Sequence, residues 1–158
     1  ESGFKPKAKS RAGASGLMQL MPRTAGFMAG KRFQGQMRHA LFDPEYNIEL
    51  GQSYVQHLMK FPGIEGNLFF TTAAYNGGPG NLKKWRRTSE YQNDPLLFIE
   101  SIPSRETRAF VERVMTNLWI YRYRLGQPTP SLNAIAAGTW PRYNRLDPNL
   151  KKVVVRAN

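Results

Sequence analysis

Residues 67–80 read NLFFTTAAYNGGPG, and this one stretch holds a helix start, an apolar helix body and a stop. Asn67 has the side chain of an N-cap, whose oxygen can accept from the first free backbone N–H groups of a helix. Phe69, Phe70, Ala73 and Ala74 then recur at helical spacing. Asn76-Gly77-Gly78-Pro79-Gly80 ends the pattern, because four of those five residues are Gly or Pro. The same grammar repeats on both sides. Asp43-Pro44 is a helix start, with Asp as cap and Pro in the first turn. Leu50, Tyr54, Val55 and Leu58 follow on one face, and Pro62-Gly63 closes that helix. Asn81 can cap a short basic helix to Arg87, and Asp94-Pro95 opens a helix over Leu96–Ser101. Pro103-Ser104 begins the longest helix, with a predicted buried stripe of Phe110, Val114, Leu118, Tyr121 and Leu125, stopped by Gly126 and Pro128.

The two ends are less regular. The first 15 residues are rich in Lys, Gly, Ser and Ala and read as a loop. A short helix is expected over Gly16–Ala29, broken or restarted at Pro22. Lys31–Phe42 reads as a second, mostly polar loop. Beyond Gly126 the chain becomes rich in Pro and Asn, with Trp140 and Tyr143 as expected anchors, and Lys151–Asn158 reads as an edge strand or a frayed end. No repeat is visible and strand signals are weak throughout. The expected fold class is mainly α.

The totals fit one globular domain. The chain has 158 residues, 41% of them hydrophobic, with three Trp, seven Tyr and nine Phe, which is enough to build a sizeable core. No apolar run approaches the roughly 20 residues that span a bilayer, and no charged-then-apolar leader opens the chain. There is no cysteine, which excludes disulfides, thiolate nucleophiles and Cys-based zinc sites. Lys and Arg number 23 against 11 Asp and Glu, a formal charge of +12. Such a surface attracts polyanions in a salt-dependent way, whether nucleic acid, anionic membrane or anionic cell-wall polymer.

Four separated segments carry the chemistry: ESGF at the start followed by Ser10, GASGLMQLMP (Gly13–Pro22), AAYNGG (Ala73–Gly78) and IPSRETRAFVERV (Ile102–Val114). In order and spacing they resemble the lytic transglycosylases of the soluble Slt type, members of the lysozyme-like superfamily. The resemblance covers roughly residues 1–125. It implies a lysozyme-like helical domain of the goose-type lysozyme and SLT kind over 1–126, with 127–158 as a C-terminal extension packed on it. In that family the glutamate of ESGF ends a helix lying upstream. The resemblance therefore implies a preceding helix, and a larger protein with an N-terminal helical region.

Glycosidic cleavage needs a proton delivered to the leaving oxygen, and a carboxylic acid can deliver it near neutral pH only when burial raises its pKa. In the family one glutamate does this and then takes a proton from the muramic C6 hydroxyl, which closes on C1 as a 1,6-anhydro sugar. That role falls on Glu1. Ser10 corresponds to a serine beside the carboxylate. Gln19 and Met21 correspond to groove residues, Gln19 touching sugar and Met21 packing against it. Gly16 fits a close backbone approach, while Leu17, Met18 and Leu20 read as core. The Tyr75 hydroxyl is expected to orient the carboxylate, Asn76 to brace the Gly-rich turn, and Glu106 to face the sugar. Taken singly, Tyr75 could equally be a core tyrosine with a satisfied hydroxyl, and Glu106 a first-turn acid that complements the helix dipole.

The resemblance implies peptidoglycan glycan strands as partner, no cofactor and no metal, and a periplasmic location with any membrane association coming from outside this chain. His39 and His57 lack metal-site spacing and read as surface or packing histidines. The Lys83, Lys84, Arg86, Arg87 cluster around Trp85 reads as a solvated helix face with one buried aromatic, so no nucleic acid is expected. Hydrolysis by the lysozyme route and wall binding without catalysis are the competing functions.

Overall fold

The computed structural model describes residues 3–144. Among the described residues seven α-helices follow in order: α1 (Pro22–Ala29), α2 (Pro44–Met59), α3 (Leu68–Gly77), α4 (Pro79–Thr88), α5 (Pro95–Ser101), α6 (Arg105–Arg124) and α7 (Pro130–Ala136). A 3-10 run, Gly35–Phe42, precedes α2. Strand-type pairing among the described residues is confined to isolated bridges: Lys9 with Ser15, Ser15 with Leu20, and Asn67 with Arg142. The mainly α expectation holds. Glu1 and Lys151–Asn158 lie outside the described residues. The chain divides into two compact units, one built on residues 3–57 and the other on residues 58–144.

In the first unit, Pro22 is decisive. It occupies the first turn of α1, where its missing N–H costs nothing, with Met21 as N-cap. The expected helix over Gly16–Ala29 therefore exists only from Pro22 onward. Gly16–Met21 is instead a chain of turns, and its register is set by the Ser15–Leu20 pair, each N–H bonded to the other's carbonyl at 3.0 and 3.1 Å. The expected polar loop over Lys31–Phe42 also needs correction, because Phe33 and Leu41 are buried and residues 35–42 are helical in the 3-10 sense. On α2, Leu50 is fully buried together with Asn47, a polar residue that hydropathy would place outside.

In the second unit α3 is the core helix. Asn67 caps it as read from the sequence, its Oδ1 accepting from the N–H groups of Phe69 and Phe70. Leu68 through Ala74 are all buried, and a phenylalanine side chain so placed contributes on the order of 2–3 kcal/mol. The Gly-Gly-Pro-Gly stop does not make a loop. Gly78, at φ 86°, turns the chain directly into α4, whose first turn holds Pro79. Asn81 is thus inside α4 rather than its cap, and its amide donates to the Gly77 carbonyl at 2.8 Å. Gly77 has to be small, since a Cβ there would collide with the ring of buried Trp85.

α6 begins where the sequence put it, with the Ser104 hydroxyl accepting from the Thr107 N–H. Its buried stripe is Thr107, Phe110, Val111, Met115 and Arg122, about one residue in register from the expected one. Val114 is 37% exposed, Tyr121 55% and Leu125 69%. The expected stripe followed apolar identity alone. The real one includes two polar residues that find partners: Thr107 bonds Asn76, and the Arg122 guanidinium donates to the Pro128 carbonyl at 3.4 Å.

The segment after α6 packs back within this unit. Trp119 Nε1 donates to Ser131 Oγ, and Leu68 N–H to the Pro141 carbonyl. Trp140 is an anchor as expected, with its ring 4.7 Å from that of Phe70 and 5.9 Å from that of Phe98. Tyr143 anchors by its backbone N–H to the Gly66 carbonyl, not by its ring, which is half exposed.

Candidate active site

Glu1 lies outside the described residues, so the site is built from the residues that would serve it. The first unit carries Ser10, Gly16, Gln19 and Met21. The turn segment folds them together through backbone bonds: Ser10 N–H to the Ala14 carbonyl at 2.9 Å and Gly16 N–H to the Ala8 carbonyl at 2.9 Å. Ser10 Oγ accepts from the Ala14 N–H at 3.0 Å. That bond uses a lone pair and leaves the hydroxyl proton to be donated.

Gln19 sits at φ 49°, in the left-handed region that non-glycine residues seldom occupy. Its Nε2 donates twice, to the Gly16 carbonyl at 2.7 Å and the Ala8 carbonyl at 3.2 Å. Both amide protons are therefore committed, and the oxygen is what the side chain can offer a ligand. A residue held off its preferred backbone by two such bonds is a strained position maintained by its surroundings, which is common at functional sites. Gly16, at φ 80°, confirms the close-approach reading, since a Cβ would run into the Leu41 carbonyl and the Asn47 side chain. Met21 is 40% exposed and lines a 910 Å³ pocket. Leu20 is core as expected, and Met18 packs where Gly51 leaves room on α2.

Sequence reasoning missed Asn47. It is fully buried, donates to the Ser15 carbonyl at 3.1 Å and the Leu41 carbonyl at 2.9 Å, and accepts from the Met18 N–H at 2.7 Å. One amide thus clamps the Gly13–Pro22 turn at Ser15 and Met18. Its signal was available: Asn47 lies three residues before Leu50, on the apolar face of α2.

The second unit carries Tyr75, Asn76 and Glu106. Tyr75 stands near the C-terminal end of α3, with its ring nearly parallel to that of Phe110 at a centroid distance of 6.2 Å. Asn76 Oδ1 accepts from Thr107 Oγ1 at 2.6 Å. The AYN segment and the IPSRET segment, some thirty residues apart, are therefore locked together, and exposed Glu106 is the neighbour of the locking residue. The Asn76 side chain thus ties the end of α3 to α6. Thr107 is a second residue that the sequence reading passed over.

The remaining candidates have structural partners. The His57 ring meets Phe27 edge-on at 5.2 Å and stacks on Tyr54 at 6.4 Å. Burial pushes the Tyr54 hydroxyl pKa upward. Arg86 lies over Phe70 at 4.3 Å and donates to the Gly63 carbonyl at 2.6 Å, while Lys83, Lys84 and Arg87 remain exposed. No group of three or more His, Cys, Asp or Glu with metal-holding geometry occurs among the described residues. Nor is any helix among them long and apolar enough to cross a membrane.

The family profile described as Transglycosylase SLT domain matches residues 1–98. The chain is 41% identical, over 144 residues, to the soluble lytic murein transglycosylase of Escherichia coli K12, an alignment covering 87% of this chain and 21% of that protein. Its fold resembles the crystal structure of the 70-kDa soluble lytic transglycosylase from E. coli, with a TM-score of 0.72 and 40% identity over 90% of this chain and 23% of that one. It also resembles an inactive glutamate-to-glutamine mutant of the lytic transglycosylase Slt from Pseudomonas aeruginosa, with a TM-score of 0.70 and 36% identity over 82% of this chain and 21% of that one. The chain thus spans about one fifth of the length of the soluble relatives it matches, and shares their lysozyme-like helical fold.

Proposed function

Since the chain belongs to the transglycosylase SLT domain family, we propose that it cleaves the β-1,4 bond between N-acetylmuramic acid and N-acetylglucosamine in peptidoglycan, without water. Glu1 first protonates the leaving oxygen. It then accepts the proton of the muramic C6 hydroxyl as that oxygen closes on C1 to give the 1,6-anhydro sugar. A single carboxyl serves as acid and then base, because the nucleophile is part of the substrate and no second carboxylate has to activate a water.

The supporting residues take roles that match their hydrogen-bonding capacity. Ser10 keeps a hydroxyl proton to offer the carboxylate or the sugar. Gln19 presents its amide oxygen to a sugar hydroxyl, both of its N–H groups being used internally. Met21 gives an apolar contact to the glycan, and the Gly16 turn sets their backbone. Tyr75 is assigned the hydroxyl that orients the carboxylate, Asn76 holds the end of α3, and Glu106 contacts the sugar. The catalytic module is assigned to 1–126 with 127–158 as its extension, acting in the bacterial periplasm as part of a longer protein.

What supports the reading above all is convergence. Two motif segments some thirty residues apart are tied by a specific side-chain bond, Asn76 with Thr107, and in the other unit Gln19 is held by bonds to the Gly16 and Ala8 carbonyls. The test is digestion of purified sacculi followed by mass spectrometry of the released fragments. Anhydro ends are expected, and reducing-end muramic acid in their place would make the protein a hydrolase. The Glu1→Gln variant of the full-length protein is expected to lose more than about a thousandfold in turnover with an unchanged unfolding midpoint. Retained turnover would place the acid elsewhere.

A further inference from the structure

Two Pro-Gly pairs leave a gap in the second unit. Pro62-Gly63 turns the chain after α2, with Gly63 at φ 82°, and Pro79-Gly80 opens α4. Neither pair carries a long side chain, and a pocket of about 450 Å³ stays open between them. Its floor is apolar, since Ile64 and Leu82 are each 3% exposed, and Phe61 adds an aromatic ring. Lys83 and Arg86 complete the lining, and no Asp or Glu takes part in it. Arg86 is held in place before any ligand arrives. Its Nη1 donates to the Gly63 carbonyl at 2.6 Å, and its guanidinium lies 4.3 Å from the centroid of the Phe70 ring. Its Nε is buried and has no acceptor. A charged donor left unsatisfied in this way is costly, and a carboxylate seated on that edge of the guanidinium would relieve it. Lys83 makes no ion pair or hydrogen bond among the described residues. Lys84 and Arg87, both exposed on α4, carry the positive charge beyond the pocket.

We propose that this pocket is the docking site for an acidic peptide segment of a protein partner. An aromatic or aliphatic anchor of that segment enters over Ile64 and Leu82. Its carboxylates meet Arg86 and Lys83, and Lys84 and Arg87 draw the acidic residues that follow. The inference goes beyond the glycan-cleaving reading and does not depend on it. A concavity of this size takes one or two large side chains, and anchors seated in such pockets carry most of the energy of a protein interface. The fixed guanidinium loses little freedom when a carboxylate binds it. A small free anion would use Arg86 and leave the apolar floor and the outer cations idle. A nucleic-acid backbone offers phosphates along an extended track and no apolar anchor. A bilayer surface is too flat to enter the concavity and reach Ile64 and Leu82.

The test measures, by fluorescence anisotropy, how the full-length protein binds a labelled synthetic peptide in which Asp and Glu flank a central Trp-Leu pair. Gly80→Leu puts a side chain into the pocket from a position where a Cβ meets nothing within 4 Å. It is expected to weaken binding about tenfold with an undiminished unfolding midpoint. Arg86→Lys, which keeps the charge and removes the forked donor, should also lose about tenfold, and Lys83→Ser about threefold. Replacing the Trp-Leu pair of the peptide by Ser-Ser should cost about tenfold. Arg113→Ser, which removes a like charge from α6, is expected to bind as the wild type does, and Gly80→Leu to cleave sacculi as the wild type does. Should the wild type bind the peptide as expected but release no anhydro product from sacculi, the proposed reaction fails and the docking site stands. The docking proposal is overturned if the wild type does not bind the peptide, if Gly80→Leu binds it equally well, or if the Ser-Ser peptide binds as tightly. An equal loss in Arg113→Ser overturns it as well, by reducing the effect to net charge. So does a loss of sacculus cleavage in folded Gly80→Leu, which would make the pocket part of the glycan site, or a short DNA duplex that binds more tightly than the peptide at the same salt concentration.

Discussion

The two motif-bearing regions are held in opposite ways. Gly13–Pro22 is irregular backbone, with a left-handed glutamine and a glycine that no other residue could replace without collision. Its shape depends on a few polar bonds from side chains, above all those of Asn47. The junction of α3 and α6 is regular helix, in which the backbone groups beyond the first turns are satisfied by their own helix and the packing is spread over Phe69, Ala73, Phe110, Val111 and Met115. An irregular segment must find a separate partner for every buried N–H and C=O. It is therefore fixed by few residues and fails abruptly when one is lost. A helix pair is fixed by many and fails gradually.

The sharpest way to break this contrast is Asn47→Ala. The substitution strands the Leu41 carbonyl and the Met18 N–H and leaves the Ser15 carbonyl with only its bond from Leu20, and each unsatisfied group costs about 1–3 kcal/mol. Chemical denaturation should show a loss of about 3–5 kcal/mol. A loss under about 1 kcal/mol would mean that water substitutes for the amide and that the turn is not clamped. The matching change in the helical region is Thr107→Val, which keeps the volume and removes the bond to Asn76. About 1–2 kcal/mol is expected, together with a fall in turnover measured well below the unfolding midpoint, because the end of α3 bearing Tyr75 loses its tie to α6. Unchanged turnover would make the bond purely structural.

What the sequence disclosed follows the same division. Helix starts at Asn67, Asp94 and Ser104 were legible because capping is local chemistry, decided within three residues. The site segments were legible through resemblance, and the structure adds what motifs do not carry: which atom of Gln19 is free, and who holds the turn. Asn47 and Thr107 escaped notice because both are polar residues on buried faces, and hydropathy discards such residues before asking whether they have partners. Pro22 was seen as a break, but nothing local said that the residues before it would form turns, since that depends on Leu41 and Asn47 far along the chain. α7 was missed because its apolar face is short, with Ser131 as its buried residue.

The register of α6 offers the smallest and cleanest measurement. Reading apolar identity alone put Leu125 in the core, whereas it is 69% exposed and Met115 is 2% exposed. The two readings predict different ledgers for the same pair of substitutions. Met115→Ala should cost about 2–5 kcal/mol, as expected for a methionine truncated in a packed interior. Leu125→Ser should stay within about 0.5 kcal/mol, because Leu125 caps α6 through its backbone N–H, which the substitution keeps, and its exposed side chain contributes little to folding. Equal losses at the two positions would mean that Leu125 is covered in the folded protein. The stripe of α6 would then extend past Arg122, and the polar residues Thr107 and Arg122 would no longer mark its buried face.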